Sequence, residues 1–297
     1  MTTLTWLETD TPQSAMQARL GRWWRAGRRM LRNPAMLFGG LMLLLILVAA
    51  VAAPWLAGYD PNVQDSHARL LAPSAEHWLG TDQLGRDLWA RLLYGTRPTL
   101  LIVLLVAVLS APFGLAIGIV AGYFGGWVSA VLMRVTDIFM AFPRLVLALA
   151  FVAILGPGIV NAVLAIAITA WPPYARIART EAQLIRKAEF IQAAKVAGIP
   201  SRSILFGHVL PLCIPSTVIR VTLDMAGIIL TAAGLGFLGL GAQPPMSEWG
   251  AMVAAGRNYL FDQWWVAAVP GMAILLGSLA FNLLGDGLRD VLDPKHA

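Results

Sequence analysis

The 297-residue chain is 58% hydrophobic and only 13% charged, with a mean hydropathy of +0.69 and a formal net charge of +6. Soluble domains carry about one quarter charged residues, so this composition excludes an ordinary soluble protein and predicts an integral membrane protein. The positive charge does not indicate a nucleic-acid partner, because the basic residues cluster beside apolar runs, where they orient a chain in the bilayer.

Six apolar segments are long enough to be membrane spans, since a bilayer core requires about 20 residues of helix. All six are predicted to be helices, because backbone groups in hydrocarbon must find hydrogen bonds within the chain. The segments are Ala35–Leu56, Leu100–Tyr123, Val128–Leu155, Ile159–Tyr174, Val209–Phe237 and Trp265–Leu284. The first is too long and too far from residue 1 for a cleaved signal peptide, and we interpret it as a retained anchor.

Two local features stand out, one in the second segment and one in the third. Gly114, Gly118 and Gly122 repeat every four residues, which places small side chains on one helix face and permits a close helix contact. A general tolerance of membrane helices for glycine explains the pattern equally well. Phe142-Pro143 predicts a kink in the third segment, because proline removes a helix hydrogen bond.

Basic residues predict the orientation of the segments. Six arginines precede the first segment, six basic residues separate the fourth from the fifth, and Arg289 and Lys295 follow the sixth. The other connections have no such excess. The positive-inside rule therefore places both termini and the basic interruption in the cytoplasm.

Two pairs of charged residues lie inside the apolar segments. Arg134 and Asp137 are three residues apart on the third, and Arg220 and Asp224 are four apart on the fifth. This spacing places each pair on one helix face, where the two charges are expected to neutralise each other. Charges inside a membrane are costly and often mark a transport pathway. The alternatives are a structural ion pair, snorkelling of Arg134, or contact of Asp137 with a partner helix.

The basic interruption from Arg176 to Leu210 is the most unusual part of the chain. Glu189–Ala197 is predicted to form a two-turn helix with a low-relief alanine surface, and Gly198 to adopt the left-handed conformation that ends a helix. Such a helix suits insertion into a groove on a partner. An amphipathic loop on the membrane surface is an equal alternative from physics alone.

The spacing within this interruption resembles the signature of permease subunits of bacterial ABC importers. Gln192-Ala193-Ala194 is followed by Gly198 and, after nine intervening residues, by His208 before Leu210-Pro211; Gln192 stands where the family usually has glutamate. The resemblance implies a coupling helix that docks into a cleft on an ATPase subunit. The residues that it assigns to this coupling are Glu189, Gln192, Ala193, Ala194, Gly198, His208, Leu210 and Pro211.

Three further blocks resemble the dipeptide, oligopeptide and nickel branch of that family, in particular the second, C-type permease of dipeptide systems. They are His77–Asp87, Gly236–Gly250 and Phe281–Pro294. Two positions differ from many relatives: Thr231 replaces a glutamate and Gly236 a serine. The first block contains Gly80, Thr81, Asp82, Gly85, Arg86 and Asp87; for it we favour a structural turn over a direct substrate contact.

The resemblance implies an all-α type I ABC importer permease with six transmembrane helices, an extra N-terminal helix preceding a five-helix core. Its expected partners are a homologous permease in a heterodimer, two ATPase subunits, a periplasmic or lipid-anchored substrate-binding protein, and lipid. The expected function is ATP-driven import of dipeptides or short oligopeptides across the bacterial inner membrane; the alternative substrate is nickel or a metal chelate.

The chain itself is expected to be neither an enzyme nor a cofactor protein. It has no G-x-x-x-x-G-K-[ST] phosphate loop, so ATP and magnesium belong to the partner ATPases. A membrane enzyme would need a convergent constellation of catalytic or metal-binding groups, whereas one cysteine, Cys213, and four scattered histidines offer none. A channel or secondary transporter would not need the coupling segment.

Five regions follow from these expectations. They are a basic cytoplasmic segment (residues 1–34), an N-terminal transmembrane helix (35–57), a periplasmic loop (58–99), a permease core (100–285) whose cytoplasmic coupling loop covers residues 176–208, and a cytoplasmic tail (286–297).

Overall fold

The computed structural model describes residues 14–292, and these residues form helices joined by short connections and one long loop. The end of the third family-like block, Asp293-Pro294, and Lys295 lie outside the described residues. The α-helices of the described part are α1 (Ala15–Met30), α2 (Pro34–Leu56), α3 (Leu88–Phe124), α4 (Gly126–Ala141), α5 (Arg144–Leu155), α6 (Ile159–Ala170), α7 (Pro172–Arg186), α8 (Glu189–Val196), α9 (Ser201–Ile204), α10 (Leu210–Phe237), α11 (Trp249–Gly256) and α12 (Trp265–Leu292). Short 3₁₀ turns cover Ser66–Ala68 and Arg257–Tyr259, and a π-helical turn covers Leu205–Val209.

The described residues confirm an all-helical membrane architecture but not the predicted count of six spans. Four helical stretches are long and apolar enough to cross a bilayer, namely Pro34–Leu56, Leu88–Phe124, Ser201–Phe237 and Trp265–Val291. Helices α4 and α5 make a fifth if they are counted as one span, although they meet at 91°. The predicted kink at Phe142-Pro143 is therefore a sharp break, because Pro143 donates no hydrogen bond and holds Phe142 in an extended conformation.

The predicted fourth span is divided into α6 and α7 at Trp171. Pro172 and Pro173 begin α7 and have no N–H groups to continue the hydrogen bonds of α6. Trp171 itself keeps right-handed helical angles (φ −69°, ψ −28°). Helix α7 then runs to Arg186, well beyond the predicted end at Tyr174.

Helix α3 begins twelve residues before the predicted Leu100. The side chain of Asp87 accepts a hydrogen bond from the backbone N–H of Ala90 at 2.7 Å and caps the helix at Leu88. Helix α3 has 37 residues. Since an α-helix rises about 1.5 Å per residue, α3 is longer than the hydrocarbon core of a bilayer, which is about 30 Å thick.

The glycine repeat of α3 forms the contact with α7. A Cβ atom at Gly114, Gly118 or Gly122 would overlap the carbonyl oxygen of Trp171, Ala175 or Arg179, respectively. Both series advance by four residues in the same direction, so the two helices run parallel with their backbones in close approach. The small-residue face is therefore a specific packing surface rather than a tolerated composition.

Helix α2 packs along α12 through two glycines at a second close crossing. A Cβ atom at Gly39 would lie 2.6 Å from the backbone nitrogen of Leu284, and one at Gly287 would lie 2.7 Å from Cβ of Met36. The rest of α2 is mostly exposed within this chain. The principal core is formed by buried residues of α3, α5, α6, α10, α11 and α12, and Leu43 and Ile46 of α2 pack against it.

Candidate functional site

The predicted docking segment forms the compact helix α8 between α7 and α9. Gly198 has φ +76° and its N–H donates to the carbonyl of Lys195 at 3.0 Å, which confirms the predicted left-handed helix end. No neighbouring heavy atom lies within 4 Å of a Cβ built at Gly198, so this corner faces open space. Val196, at 90% exposure, is the most exposed apolar side chain of the helix.

Only one side of α8 is available for docking. Ile191 and Ala194 turn inward and join a cluster that includes Tyr123, Ala178 and Cys213. The predicted low-relief alanine surface is therefore incorrect for Ala194, which is buried because the helix must cover this cluster. Ala193 stays exposed, as do Phe190, Val196 and Ala197.

Gln192 contributes a hydrogen bond that glutamate in the same position would not make. Its side-chain Nε2 donates to the carbonyl oxygen of Arg186 at 2.6 Å, across the turn between α7 and α8. An ionised carboxylate has no donor for that carbonyl. The departure from the family pattern thus adds a hydrogen bond between the end of α7 and α8. Glu189, the remaining acidic residue of the segment, occupies the first turn of α8, where it favourably meets the helix dipole.

His208, Leu210 and Pro211 lie where the segment returns to the long helix α10. His208 belongs to the π-helical turn, and its ring lies 6.2 Å from the ring of Phe190. Its Nδ1 atom is buried and makes no hydrogen bond with any described residue. Leu210 begins α10, and Pro211 occupies the first turn, where a missing N–H costs nothing. Phe190 and His208 thus connect α8 directly to the start of a long apolar helix.

The two charge pairs expected within single helices do not form. The carboxylate of Asp224 is bound from two other helices, by Nη1 of Arg144 on α5 at 2.9 Å and by the hydroxyl of Tyr174 on α7 at 2.8 Å. Arg220 makes no ion pair among the described residues, and its Nε is buried without a partner. The prediction fails because the bend at Phe142-Pro143 brings Arg144 to Asp224.

Asp137 is likewise paired with another helix. Its carboxylate accepts a hydrogen bond from Nη2 of Arg176 on α7 at 2.6 Å, and both side chains are about half exposed. Arg134, its predicted partner, has no ion pair within the described residues. Helix α7 therefore supplies a polar partner to each of the two candidate acids, Tyr174 to Asp224 and Arg176 to Asp137.

Sequence patterns do not single out Arg144 or Tyr174, for different reasons. Arg144 immediately follows Pro143 and was hidden by the treatment of residues 128–155 as one apolar span. Tyr174 is the last residue of the predicted fourth apolar segment, where it counts only as part of a span. An arginine directly after a proline break, in an otherwise apolar run, is the signal that could have identified the first.

The block at residues 80–87 forms a rigid turn before α3. Asp82 accepts hydrogen bonds from the backbone N–H groups of Leu84 and Arg86 and pairs with Nε of Arg86 at 2.7 Å. Asp87 binds Nδ1 of His77 at 2.9 Å in addition to capping α3. The carboxylates of Asp82 and Asp87 are thus hydrogen-bonded within the turn itself.

Gly80, Thr81 and Gly85 complete this turn. Both glycines have left-handed backbone angles (φ +76° and +75°), and any side chain at either would collide with backbone of Leu71 or Asp65. The hydroxyl of Thr81 donates to the carbonyl of Ala68 and accepts from the N–H of Leu71. All of these contacts hold the loop of residues 57–87 against the start of α3.

Glu248 is a buried acid that begins α11. Its two carboxylate oxygens accept hydrogen bonds from the backbone N–H groups of Gly250 and Ala251, each at 2.9 Å. Burial raises the pKa of Glu248 above its ordinary value, and the two backbone donors oppose that rise. A Cβ at Gly236 would lie 2.5 Å from this carboxylate, so the glycine makes room for it. Thr231, the other departure, donates to the carbonyl of Gly227 within α10.

Two families match the chain. Residues 114–297 match the family described as binding-protein-dependent transport system inner membrane component. Residues 21–73 match the N-terminal TM domain of oligopeptide transport permease C. The first match covers α8 and every charged residue of α5, α7 and α10 discussed above.

Curated proteins are similar over nearly their whole length. The chain is 47% identical, over 89% of its residues and 88% of the relative, to the probable D,D-dipeptide transport system permease protein DdpC of Escherichia coli (strain K12). It is 46% identical, over 89% of each, to the di/tripeptide transport system permease protein DppC of Pseudomonas aeruginosa (strain UCBPP-PA14). The glutathione transport system permease protein GsiD of Pectobacterium atrosepticum is 43% identical, over 92% of this chain and 91% of the relative.

A solved structure shares the fold. A chain from inward-facing conformations of the MetNI methionine ABC transporter superposes with a TM-score of 0.55 at 19% sequence identity. The match covers 69% of this chain and 98% of the other. This likeness concerns the fold of the helical core.

Proposed function

Because the chain belongs to the family of binding-protein-dependent transport inner membrane components, the permease subunits of ABC importers, we propose that it forms half of the translocation pathway for dipeptides or short oligopeptides. Members of this family are membrane subunits that work with substrate-binding and ATPase partners, and ATP hydrolysis belongs to the separate ATPase. ATP and magnesium are accordingly assigned to those partners.

The proposed contact with the ATPase rests on the exposed side of α8. Phe190, Val196 and Phe206 are large apolar side chains that remain exposed around Gly198, on a short helix well suited to a groove. The inward side of α8 is packed against α3, α7 and α10. A push on α8 from a partner would therefore be transmitted to three helices of the core at once, as a rigid-body movement requires.

The proposed pathway includes Asp224, Arg144 and Arg220, with Arg134 and Asp137 as further candidates. Asp224 couples three helices through Arg144 and Tyr174, so a movement of α7 relative to α10 would have to rearrange these bonds. A single chain cannot enclose a pore, and we assign the opposite wall to a homologous permease in a heterodimer.

Peptides are favoured over nickel or a metal chelate as the substrate. The relatives described above have names that refer to D,D-dipeptides, di- and tripeptides, and glutathione. Selection among peptides is assigned to the substrate-binding protein rather than to this chain.

The substitution Val196→Glu tests the coupling role. Val196 makes little contact within the chain, so the variant should fold and insert normally, whereas a charge forced into an apolar cleft without a partner costs about 2 kcal/mol or more. We expect dipeptide uptake by the variant to fall below about one tenth of the wild-type rate. The amount of ATPase that co-purifies with it should fall by the same factor.

Val63→Glu is the matched control, since Val63 is also exposed but lies in the loop of residues 57–87. Co-purification of the ATPase should persist in this variant. Normal ATPase binding and peptide uptake by the Val196→Glu protein would refute the docking role of α8.

A further inference from the structure

Helix α1 carries a continuous exposed apolar stripe that nothing in the described chain covers. Met16, Leu20, Trp24 and Leu31 are all exposed. At 100° per residue they fall within an arc of about 80° on a helical projection. The buried Gln17 and Gly21 lie next to this stripe on the projection, and α1 is in contact with α12.

The same helix is strongly cationic and contains no acidic residue of its own. Six arginines lie between positions 19 and 32, and the sequence has no aspartate or glutamate from position 11 to position 59. Arg19, Arg29 and Arg32 are exposed. The arginines occupy the arc of the helical projection away from the apolar stripe, as Arg-rich interfacial helices do.

The position of α1 restricts what can cover its apolar stripe. Only Leu31, Arg32 and Asn33 separate it from the transmembrane helix α2. Asn33 caps α2 and also donates to the carboxylate of Asp290 on α12 at 3.0 Å, which fixes this junction. Leu31 continues the exposed apolar surface of α2, on which Leu37, Phe38 and Leu41 follow. The stripe is therefore held at the depth where a bilayer surface begins.

We propose that α1 lies in the membrane interface and binds acidic phospholipid headgroups through the exposed Arg19, Arg29 and Arg32 while its apolar stripe enters the acyl boundary. An interfacial helix of this kind gains free energy from both buried apolar area and attraction to anionic lipid. The proposal is independent of the transported substrate. It gives the subunit a lipid-dependent anchor beside the crossing of α2 and α12.

The proposal can be tested on the full chain in nanodiscs of phosphatidylcholine, with and without roughly one third phosphatidylglycerol. A fluorophore is attached at Leu20→Cys, and quenching by spin-labelled lipid reports how deeply α1 is embedded. Cys213 is fully buried and is left in place. Quenching should be several-fold greater with phosphatidylglycerol, and the difference should vanish in about 1 M salt, where the Debye length is near 3 Å.

The triple substitution Arg19→Gln, Arg29→Gln and Arg32→Gln should shift the equilibrium between embedded and free α1 by about 100-fold toward the free helix. The matched control removes three exposed arginines elsewhere, with Arg69→Gln, Arg202→Gln and Arg257→Gln, and should keep the dependence on acidic lipid. Equal quenching of the unsubstituted helix in both lipid mixtures would overturn the proposal. It would also be overturned if quenching appeared only after an ATPase subunit was added, since a protein would then position the stripe.

Discussion

At the scale of single residues, Asp224 is the most consequential side chain in the membrane part of the chain. It is 8% exposed and receives hydrogen bonds from Arg144 and Tyr174, on two other helices. A buried carboxylate is costly unless it is paired and hydrogen-bonded. The free energy of the three-helix arrangement therefore depends on all three groups remaining in place.

Asp224→Asn should destabilise the chain by about 2 kcal/mol. Breaking a buried ion pair costs about 3–5 kcal/mol, but the side chain of Arg144 is 26% exposed and keeps some contact with solvent, which reduces the loss. We expect the thermal midpoint of the protein in nanodiscs to fall by several degrees.

Asp137→Asn is the control, because it breaks a pair with the same chemistry whose two side chains are about half exposed. Its cost should stay below about 1 kcal/mol. Equal midpoints for the Asp224→Asn and wild-type proteins would show that the Arg144 contact contributes no stability.

The sequence identified Asp224 as important but could not identify its partners. Spacing along one helix is visible in a sequence, and it suggested Arg220. The actual partners come from α5 and α7, 80 and 50 residues away in the chain. Such contacts depend on where a break at Pro143 aims the following helix, which no local pattern specifies. The ending of α8 at Gly198 was predictable, because it depends on local backbone geometry.

At the scale of helices, the contact between α3 and α7 rests on missing side chains. Gly114, Gly118 and Gly122 allow the α3 backbone to approach the carbonyl groups of α7. Dispersion between closely packed backbones is a main source of helix association in lipid, where the hydrophobic effect does not distinguish a helix from a lipid tail. One methyl group at this surface must therefore separate the helices.

Gly118→Ala should destabilise the protein, whereas Gly271→Ala should leave it unchanged or stabilise it by up to about 1 kcal/mol. Alanine is intrinsically the better helix former by about that amount. A Cβ at Gly118 overlaps the Ala175 carbonyl, while a Cβ at Gly271 on α12 has no neighbour within 4 Å. Overpacking typically costs about 1–3 kcal/mol.

Thermal unfolding of both variants shows whether their changes in stability have opposite signs. If the two alanine substitutions shifted the midpoint in the same direction, close backbone contact could not be what holds α3 to α7.

Most of the helices are predictable from the sequence. Where the bounds in the structure differ from the predicted bounds, the cause is local chemistry. Apolar runs located α2, α3, α10 and α12. The division between α6 and α7 follows from Pro172-Pro173, which the apolar composition of residues 159–174 concealed. The early start of α3 follows from the cap at Asp87, within a turn that was recognised as structural but treated as part of the loop.

At the scale of the whole molecule, two polar regions at opposite ends of α3 have different characters. The loop of residues 57–87 precedes α3 and is tied down by its own ion pairs and turns. The segment that contains α8 follows α7, which runs parallel to α3, so it lies near the end of α3 at Phe124; Nη1 of Arg186 donates to the carbonyl of Phe124 at 3.2 Å. One bilayer crossing of α3 therefore separates the two regions.

Cysteine accessibility in intact cells tests which region faces the cytoplasm. The basic residues around α8 predict that it lies inside, so Val196→Cys should react with a membrane-impermeant maleimide only after the cells are permeabilised. Val63→Cys, in the loop before α3, should react without permeabilisation. The variants are expressed without the ATPase subunits, which would otherwise cover Val196. Both positions are then exposed apolar residues of similar accessibility, and the buried Cys213 should not contribute. Phe261→Cys, in the exposed connection between α11 and α12, should behave like Val63→Cys. Rapid labelling of Val196→Cys in intact cells would invert the orientation and remove α8 from the reach of any cytoplasmic ATPase.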